Sequence, residues 1–268
     1  MSVLLQISDP HFGTERPPVV EALVQLAHTL APDLLILSGD ITQRARRAQF
    51  AAARRCVDRL GVRTRLIVPG NHDIPLFNLA ARVLDPYGGF RTAFGHDLEP
   101  VVDARDVLAV GVNTTRARRH VQGEVSAAQV DRVAHRLRGA RADQLRVVVT
   151  HQPVCVVREK DEVDRLRGAE PAIRAWAAAG ADLVLGGHIH LPYVAALDER
   201  HPGLPRKLWG VQAGTAVSHR VRWEADNSVN VIRYDARAAA RCVVERWDFA
   251  LQPARFEQVG SNELALDR

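Results

Sequence analysis

Apolar, β-branched runs alternate with amphipathic stretches along the first quarter of the chain. Residues 3–7, 34–38 and 64–68 have the short apolar character of buried strands, and residues 17–30 and 45–60 carry apolar side chains at helical spacing. This strand–helix–strand succession predicts parallel strands joined by right-handed crossovers. We therefore expect an α/β fold.

The rest of the chain continues this pattern with less regular pieces. Helices are expected over 74–84, from Ser126 and over 170–179, loops over 86–95 and 113–123, and strands over 98–112 (with a turn at 103–106), 145–150, 183–186, 206–217, 228–234 and 241–249. These elements predict two β/α halves whose sheets face each other in a β sandwich with helices outside. We expect a single domain over residues 1–250 and a loosely packed C-terminal tail over 251–268.

Length and composition fit one soluble domain. With 268 residues, of which 47% are hydrophobic, the chain can bury a full core. No apolar run is long enough to cross a membrane, and the N-terminus enters a strand without the features of a signal peptide. Cys56, Cys155 and Cys242 are widely spaced and odd in number, so we expect buried free thiols in a reducing, cytoplasmic compartment.

The net charge of +5 raises the question of nucleic-acid binding. Nearly all of the positive charge is arginine, and it is interspersed with acids, as in the segment 54–59. That pattern favours solvated helix faces over a DNA-binding stripe. The sequence argues against nucleic-acid and membrane partners and leaves the oligomeric state open, a homodimer being one option.

Side chains that bind metals or carry protons follow five of the predicted strands. These groups are Asp9-Pro10-His11, Gly39-Asp40, Gly70-Asn71-His72-Asp73, His151 and Gly187-His188-Ile189-His190. Each could be an ordinary turn taken alone, since Asn and Asp are common loop residues. Because parallel strands deliver their carboxyl ends to one edge of a sheet, the recurrence predicts a metal site there.

Mixed imidazole and carboxylate ligands suit two divalent or trivalent ions such as Mn, Fe, Zn or Co. Two ions at about 3.5–4 Å need a bridging ligand, and a carboxylate can supply both of its oxygens. Such a pair can bind a phosphoryl oxygen and turn a bridging water into a hydroxide aimed at phosphorus. A histidine with a pKa near neutrality can then protonate the leaving oxygen.

In their order along roughly residues 1–217, these groups resemble the signature of the calcineurin-like metallophosphoesterases. The resemblance implies a four-layer αββα sandwich and the hydrolysis of a small phosphoester substrate. It also implies roles for individual residues: Asp9, His11, Asp40 and His190 on the first metal, Asp40 as the bridge, Asn71, His151 and His188 on the second metal, His72 as the general acid, and Asp73 as the residue that orients its imidazole.

Departures from the signature narrow the range of substrates that the resemblance implies. Gln43-Arg44-Ala45 stands where the protein serine/threonine phosphatases of this family carry a second Asp, and His72 stands where a lipid A-pathway branch has Arg. The segments 6–13 and 38–42 look most similar to bacterial class III cyclic-nucleotide phosphodiesterases. The resemblance therefore implies a phosphodiesterase for cyclic nucleotides or similar small diesters. A phosphomonoesterase, a nuclease of the same superfamily and a catalytically inactive scaffold are the alternatives.

A basic loop supplies candidates for substrate binding. Arg116, Arg119 and His120 follow a predicted strand and a Thr-rich turn and could contact a phosphate or a base near the metals. A solvated basic loop explains the same residues equally well. Substrate choice is expected to depend on the loops at 86–96, 113–124 and 218–227.

Overall fold

Two six-stranded mixed sheets organise the described part of the chain, which in this computed structural model comprises residues 1–222, 225–238 and 240–268. The strands are β1 (Ser2–Ile7), β2 (Leu34–Ser38), β3 (Arg65–Val68), β4 (Val101–Asp103), β5 (Val107–Gly111), β6 (Leu145–Val149), β7 (Leu183–Gly186), β8 (Tyr193–Ala196), β9 (Trp209–Gln212), β10 (Ser228–Tyr234), β11 (Arg241–Ala250) and β12 (Arg255–Ala265). Trp223 and Glu224, in the loop 218–227 expected to influence substrate choice, lie outside the described residues.

The helices connect and cover these strands. They are α1 (Pro17–Leu30), α2 (Arg47–Arg59), α3 (Leu79–Leu84), α4 (Gly88–Phe94), α5 (Ala127–Arg138), α6 (Ala169–Ala178) and α7 (Leu197–Arg200), with short 3₁₀ helices at Asn71–Asp73, Glu159–Asp164 and Ala236–Ala238. Within the described ranges, no helix combines the length and the apolar character needed to span a membrane.

Both sheets are mixed: the first has a parallel half and an antiparallel half, and the second has a parallel centre with antiparallel edges. The first sheet has the order β12-β11-β10-β1-β2-β3, in which β1, β2 and β3 are parallel and α1 and α2 form the crossovers, as the sequence predicts. The second has the order β4-β5-β6-β7-β9-β8, in which β5, β6, β7 and β9 are parallel. β4 and β5 are antiparallel and flank the predicted turn at 103–106.

The sheets face each other across an apolar core, and helices cover their outer faces. Leu4 and Ile36 of the first sheet meet Val147 and Leu185 of the second sheet, and all four are fully buried. A second apolar cluster packs α1 and α2 on the first sheet, and a third packs α5 and α6 on the second. This arrangement confirms the predicted β sandwich flanked by helices. Cys56, Cys155 and Cys242 are free and buried, also as predicted.

Two predictions between residues 74 and 95 need correction. The expected loop over 86–95 contains α4, whose Phe90 and Phe94 rings lie 5.6 Å apart one helical turn from each other. Burial of Phe90 against the first sheet's helical layer compensates for the two glycines at the helix start. The expected helix over 74–84 begins only at Leu79, because Asn78 caps it by accepting a hydrogen bond from Ala81 N at 3.0 Å.

The C-terminal prediction of a loosely packed tail is also wrong. β12 pairs along its whole length with β11, from Arg241 opposite Ala265 to Ala250 opposite Arg255. Its polar residues point outward, whereas Phe256 and Leu264 are buried. Residues 255–265 therefore belong to the same sheet as the first strand, although residues 251–254 form a turn.

Candidate metal centre

The carboxyl ends of β1, β2, β3, β6 and β7 meet at one edge of the sandwich. They bring together all of the residues predicted as ligands: Asp9, His11, Asp40, Asn71, His151, His188 and His190. Donor atoms of Asp9, His11 and His190 lie within 4.8 Å of one another, and so do those of Asp40, His151 and His188. Each set combines residues from both facing sheets, and the two sets together form one centre.

The first set converges on the buried carboxylate of Asp9. His190 Nε2 lies 3.2 Å from Asp9 Oδ1, and His11 Nε2 lies 3.8 Å from the same oxygen. The two imidazole nitrogens are 3.1 Å apart. Asp9 Oδ1 is buried and has no hydrogen-bond partner among the described residues. Such an orphaned oxygen facing two imidazole nitrogens fits a borderline metal ion.

The second set surrounds Asp40. His151 Nε2 lies 3.3 Å from Asp40 Oδ1 and 3.2 Å from Asn71 Oδ1. The other carboxylate oxygen, Asp40 Oδ2, faces the first set, with His11 Nε2 at 3.7 Å. Asp40 therefore directs one oxygen toward each set, which is the geometry a bridging carboxylate requires.

Backbone groups orient the ligand side chains. His151 Nδ1 donates to Ser38 O at 2.8 Å, and His190 Nδ1 donates to Arg220 O at 2.6 Å. Because a carbonyl oxygen only accepts, Nδ1 of each ring carries a proton, and Nε2, the atom that faces the centre, is the nitrogen available to a cation. Asp9 Oδ2 accepts from Ser8 Oγ at 2.5 Å and from His188 N at 2.9 Å, which leaves Oδ1 for the cation.

The backbone at the centre is strained. Left-handed φ angles occur at Asp9 (51°), His11 (43°), Asp40 (47°), His188 (73°) and His190 (54°). Non-glycine residues in this region carry about 1–3 kcal/mol of strain each and cluster at functional sites. Two glycines permit close approach beside them: a Cβ at Gly70 would lie 2.0 Å from Asp40 N, and one at Gly187 would lie 1.9 Å from Ser8 Oγ.

Burial and mutual charge set the protonation of these groups. Burial lowers the pKa of His11 to about 3, which keeps its imidazole neutral and available as a ligand. Burial alone would raise the pKa of Asp9, but His190 and His151 together outweigh it and lower the value to about 2. Burial likewise opposes the charged form of His151, yet the Asp40 carboxylate raises its pKa to about 9. The protonation of each of these groups therefore depends on the charges of its neighbours.

His72 lies beside this centre with both ring nitrogens engaged. Its Nδ1 is 3.0 Å from Gln43 O, and its Nε2 is 3.2 Å from Arg220 Nη1 and 4.0 Å from Asp40 Oδ2. The Gln43 carbonyl can only accept and the guanidinium can only donate. The ring therefore carries its proton on Nδ1, and its Nε2 accepts from Arg220.

Asp73 does not orient this imidazole, contrary to the expectation from the sequence. Its Oδ1 accepts from Thr42 N at 2.8 Å, and its Oδ2 accepts from Ile41 N at 3.0 Å and Gly70 N at 2.8 Å. The 3₁₀ turn at Asn71–Asp73 points adjacent side chains in different directions. Asp73 consequently fastens the loop after β2 to the loop after β3, and Gln43 O holds the ring.

The arginines of the basic loop contact a carboxylate of the same loop. Arg119 forms an ion pair with Glu124 at 3.0 Å, and Arg116 Nε lies 3.6 Å from the same carboxylate. Both guanidinium groups are therefore already engaged within the loop, and their role in substrate binding stays a prediction. His120 lines a cavity of about 120 Å³ beside His72, together with Ile74 and Val121.

Arg220 and Asp164 also reach the centre, and the sequence analysis did not select them. Arg220 contacts His72 across 148 positions of sequence, and Asp164 Oδ1 lies 3.6 Å from His188 Nε2. Neither follows a strand end within a recognisable motif. The one available signal was that Arg220 belongs to the loop 218–227, where substrate selection was expected.

Comparison with known proteins supports the resemblance of the motifs to metallophosphoesterases. A family model described as calcineurin-like phosphoesterase matches residues 2–192. A protein of Synechococcus, described as a probable cyclic nucleotide phosphodiesterase, is 27% identical over 203 residues, which cover 71% of this chain and 74% of that protein.

Solved structures share the fold at low sequence identity. A purple acid phosphatase from yellow lupin seeds superposes with a TM-score of 0.70 and 12% identity over 99% of this chain, which spans 54% of the lupin chain, about half its length. A dimetal phosphatase from Danio rerio superposes with a TM-score of 0.67 and 12% identity over 99% of both chains. These likenesses support the sandwich architecture.

Proposed function

Because the chain belongs to the calcineurin-like phosphoesterase family, which marks it as a phosphoester hydrolase, we propose that it is a dinuclear-metal-dependent phosphodiesterase. Its proposed substrates are cyclic nucleotides or similar small diesters. The observation that carries this proposal is the position of Asp40, whose two oxygens face two separate sets of imidazole ligands.

The ligand sets divide between two metal ions. Asp9, His11, Asp40 and His190 would hold the first ion, and Asp40, Asn71, His151 and His188 the second. The donors are nitrogen and oxygen atoms without thiolates, a combination that suits Mn, Fe, Zn or Co. The orphaned Asp9 Oδ1 and the unpartnered, buried His188 Nδ1 support occupancy of both positions.

When bound, the two ions supply Lewis acidity toward a phosphoryl oxygen and a nucleophile derived from water. The residues of the chain supply orientation and proton transfer. Asp40 fixes the spacing of the two positions, and Ser38 O and Arg220 O fix the rings of His151 and His190. These rings are thereby aligned before substrate arrives, so little reorganisation is needed during the reaction.

His72 is the proposed general acid. Its ring lies at the side of the centre, with Nε2 directed toward Asp40, and a histidine can donate a proton to a leaving alkoxide near neutral pH. In the described arrangement this nitrogen accepts from Arg220. Protonation of a leaving oxygen by His72 therefore requires the guanidinium to move away and Nε2 to take up a proton from solvent.

Two observations support a diester as substrate. The Synechococcus relative is described as a probable cyclic nucleotide phosphodiesterase. The cavity beside His72 offers apolar contacts from Ile74, Leu76 and Val121 and polar ones from Gln43 and His120, a mixture suited to a ribose or base. His120 is therefore the predicted substrate-binding residue that this cavity supports most directly.

The test compares substrate classes with the Mn-supplemented protein. Hydrolysis of bis(p-nitrophenyl) phosphate is measured beside p-nitrophenyl phosphate, 3′,5′-cAMP, 2′,3′-cAMP and single-stranded DNA, with Asp40→Asn as the inactive control. We expect turnover of the diester and of a cyclic nucleotide, lost in the control. Turnover of the monoester alone would indicate a phosphatase, turnover of DNA a nuclease, and no turnover with any metal a scaffold.

A further inference from the structure

The guanidinium group of Arg220 lies at the rim of the metal centre. It contacts His72 Nε2 at 3.2 Å and donates to Gln43 Oε1 at 3.1 Å. The residue is exposed, and within residues 1–222, 225–238 and 240–268 no carboxylate lies at ion-pair distance from it. The positive charge is thus compensated by neutral acceptors alone.

The arginines of the neighbouring basic loop are in a different situation. Arg118 and Arg119 form ion pairs with Glu124 at 2.6 Å and 3.0 Å, and Arg116 approaches the same carboxylate. Each of these groups would have to give up an ion pair before it could bind a substrate anion. Arg220 would give up its hydrogen bonds to the neutral acceptors Gln43 and His72. The net free energy that it gains on binding an anion is therefore larger.

The backbone of Arg220 is tied to the metal ligands. Its carbonyl oxygen accepts from His190 Nδ1 at 2.6 Å, and its N–H donates to Ser218 Oγ at 3.1 Å. Ser218 Oγ lies 2.7 Å from Thr215 Oγ1, which donates to Asp9 O at 2.6 Å. This chain of hydrogen bonds fixes the base of the side chain relative to two ligands and leaves its charged end exposed.

We propose that Arg220 forms a phosphoryl-oxygen subsite, an inference that rests on the proposed function and specifies how its substrate is held. The guanidinium leaves His72 and Gln43 and binds a non-bridging oxygen of the phosphoryl group. The planar, permanently charged guanidinium group has N–H donors that match the geometry of phosphoryl oxygens. The same movement uncovers His72 Nε2, which can then take up a proton from solvent and pass it to the leaving oxygen, so anion binding prepares the general acid.

Phosphate binding to the Mn-loaded chain of 268 residues tests the subsite without requiring turnover. Inorganic phosphate is titrated calorimetrically into the wild type, Arg220→Gln and Arg220→Lys. We expect the Kd to rise by about tenfold or more in Arg220→Gln and by less in Arg220→Lys. The KM for bis(p-nitrophenyl) phosphate should rise in parallel. The Mn content should stay unchanged, because only the backbone carbonyl of Arg220 contacts His190.

Arg241→Gln is the matched control, since it removes the same charge from an exposed arginine paired with Glu263. Its phosphate Kd should equal that of the wild type. An equal rise in Arg241→Gln, an unchanged Kd in Arg220→Gln or loss of Mn from Arg220→Gln would each overturn the subsite. Failure of the wild type to hydrolyse any ester would instead refute the proposed function, while the phosphate comparison would still decide the role of Arg220.

Discussion

Asp40 is the side chain on which the centre depends most. It is buried, its left-handed φ of 47° turns the chain sharply after β2, and its two oxygens face ligands from both sheets. His72 N also donates to Oδ1 at 2.8 Å. A strained backbone at this position is consistent with selection for ligand placement rather than for stability.

The His72→Ala variant tests whether His72 acts as the general acid. With an alkoxide leaving group, as in a cyclic nucleotide, we expect kcat to fall by roughly 10²–10⁴-fold, because proton donation to the leaving oxygen is lost. With p-nitrophenolate, which leaves without a proton, the loss should be much smaller. Steady-state kinetics on both substrates measures the difference, with His135→Ala on the exposed face of α5 as control.

Two results would count against this role. Equal losses on good and poor leaving groups would show that His72 does not donate a proton in the rate-limiting step. Loss of bound metal from His72→Ala would make His72 a ligand, an alternative consistent with its donor atom lying within 4.8 Å of those of His11 and Asp40.

The side chains that gather at the candidate centre were predictable because their residue types recur at strand ends, whereas the partners of His72 were not. The contact of His72 with Arg220 depends on how a distant loop returns to the centre. The distinct role of Asp73 depends on the direction of its side chain in a single 3₁₀ turn. A sequence reports adjacency along the chain, and neither of these contacts follows from adjacency.

At the scale of elements, β1 and β7 deliver their ligands together because Gly187 lets the two loops touch. A Cβ at this position would lie 1.9 Å from Ser8 Oγ and 2.4 Å from Asp9 Oδ2. We expect Gly187→Ala to lower the free energy of unfolding by about 1–3 kcal/mol through overpacking. Displacement of Asp9 should weaken Mn binding roughly 10–100-fold. Chemical denaturation and equilibrium dialysis measure the two effects.

Gly260→Ala in β12 is the comparison for this variant, because the nearest atom to its added Cβ, Arg246 Cβ, would be 3.9 Å away. It should leave both quantities near their wild-type values. Wild-type Mn affinity in Gly187→Ala would show that the close approach of the two loops is dispensable for the metal centre.

Helices and strands with strong periodicity were predicted nearly to their ends, as for α1 and β2. Elements that form only because they pair with or pack on their neighbours were not predicted. β12 has a mostly polar sequence, and its pairing with β11 rather than its own pattern makes it a strand. α4 similarly depends on the burial of Phe90.

For the molecule as a whole, the two sheets meet at the metal centre. Asp9, Asp40 and Asn71 follow strands of the first sheet, and His151, His188 and His190 follow strands of the second. The apolar core of Leu4, Ile36 and their partners sets the distance between those strand ends. Metal binding at the proposed centre would therefore join the two halves of the sandwich and should favour the folded state.

The number of Mn ions bound per chain tests the dinuclear centre most directly. Equilibrium dialysis at a fixed free Mn concentration, followed by elemental analysis, should give two ions for the wild type and for Asp131→Asn, a change on the exposed face of α5. Asp40→Asn should retain fewer than two, because a neutral amide cannot bridge two cations through two anionic oxygens. One ion or none in the wild type, or two ions in Asp40→Asn, would contradict a centre bridged by Asp40.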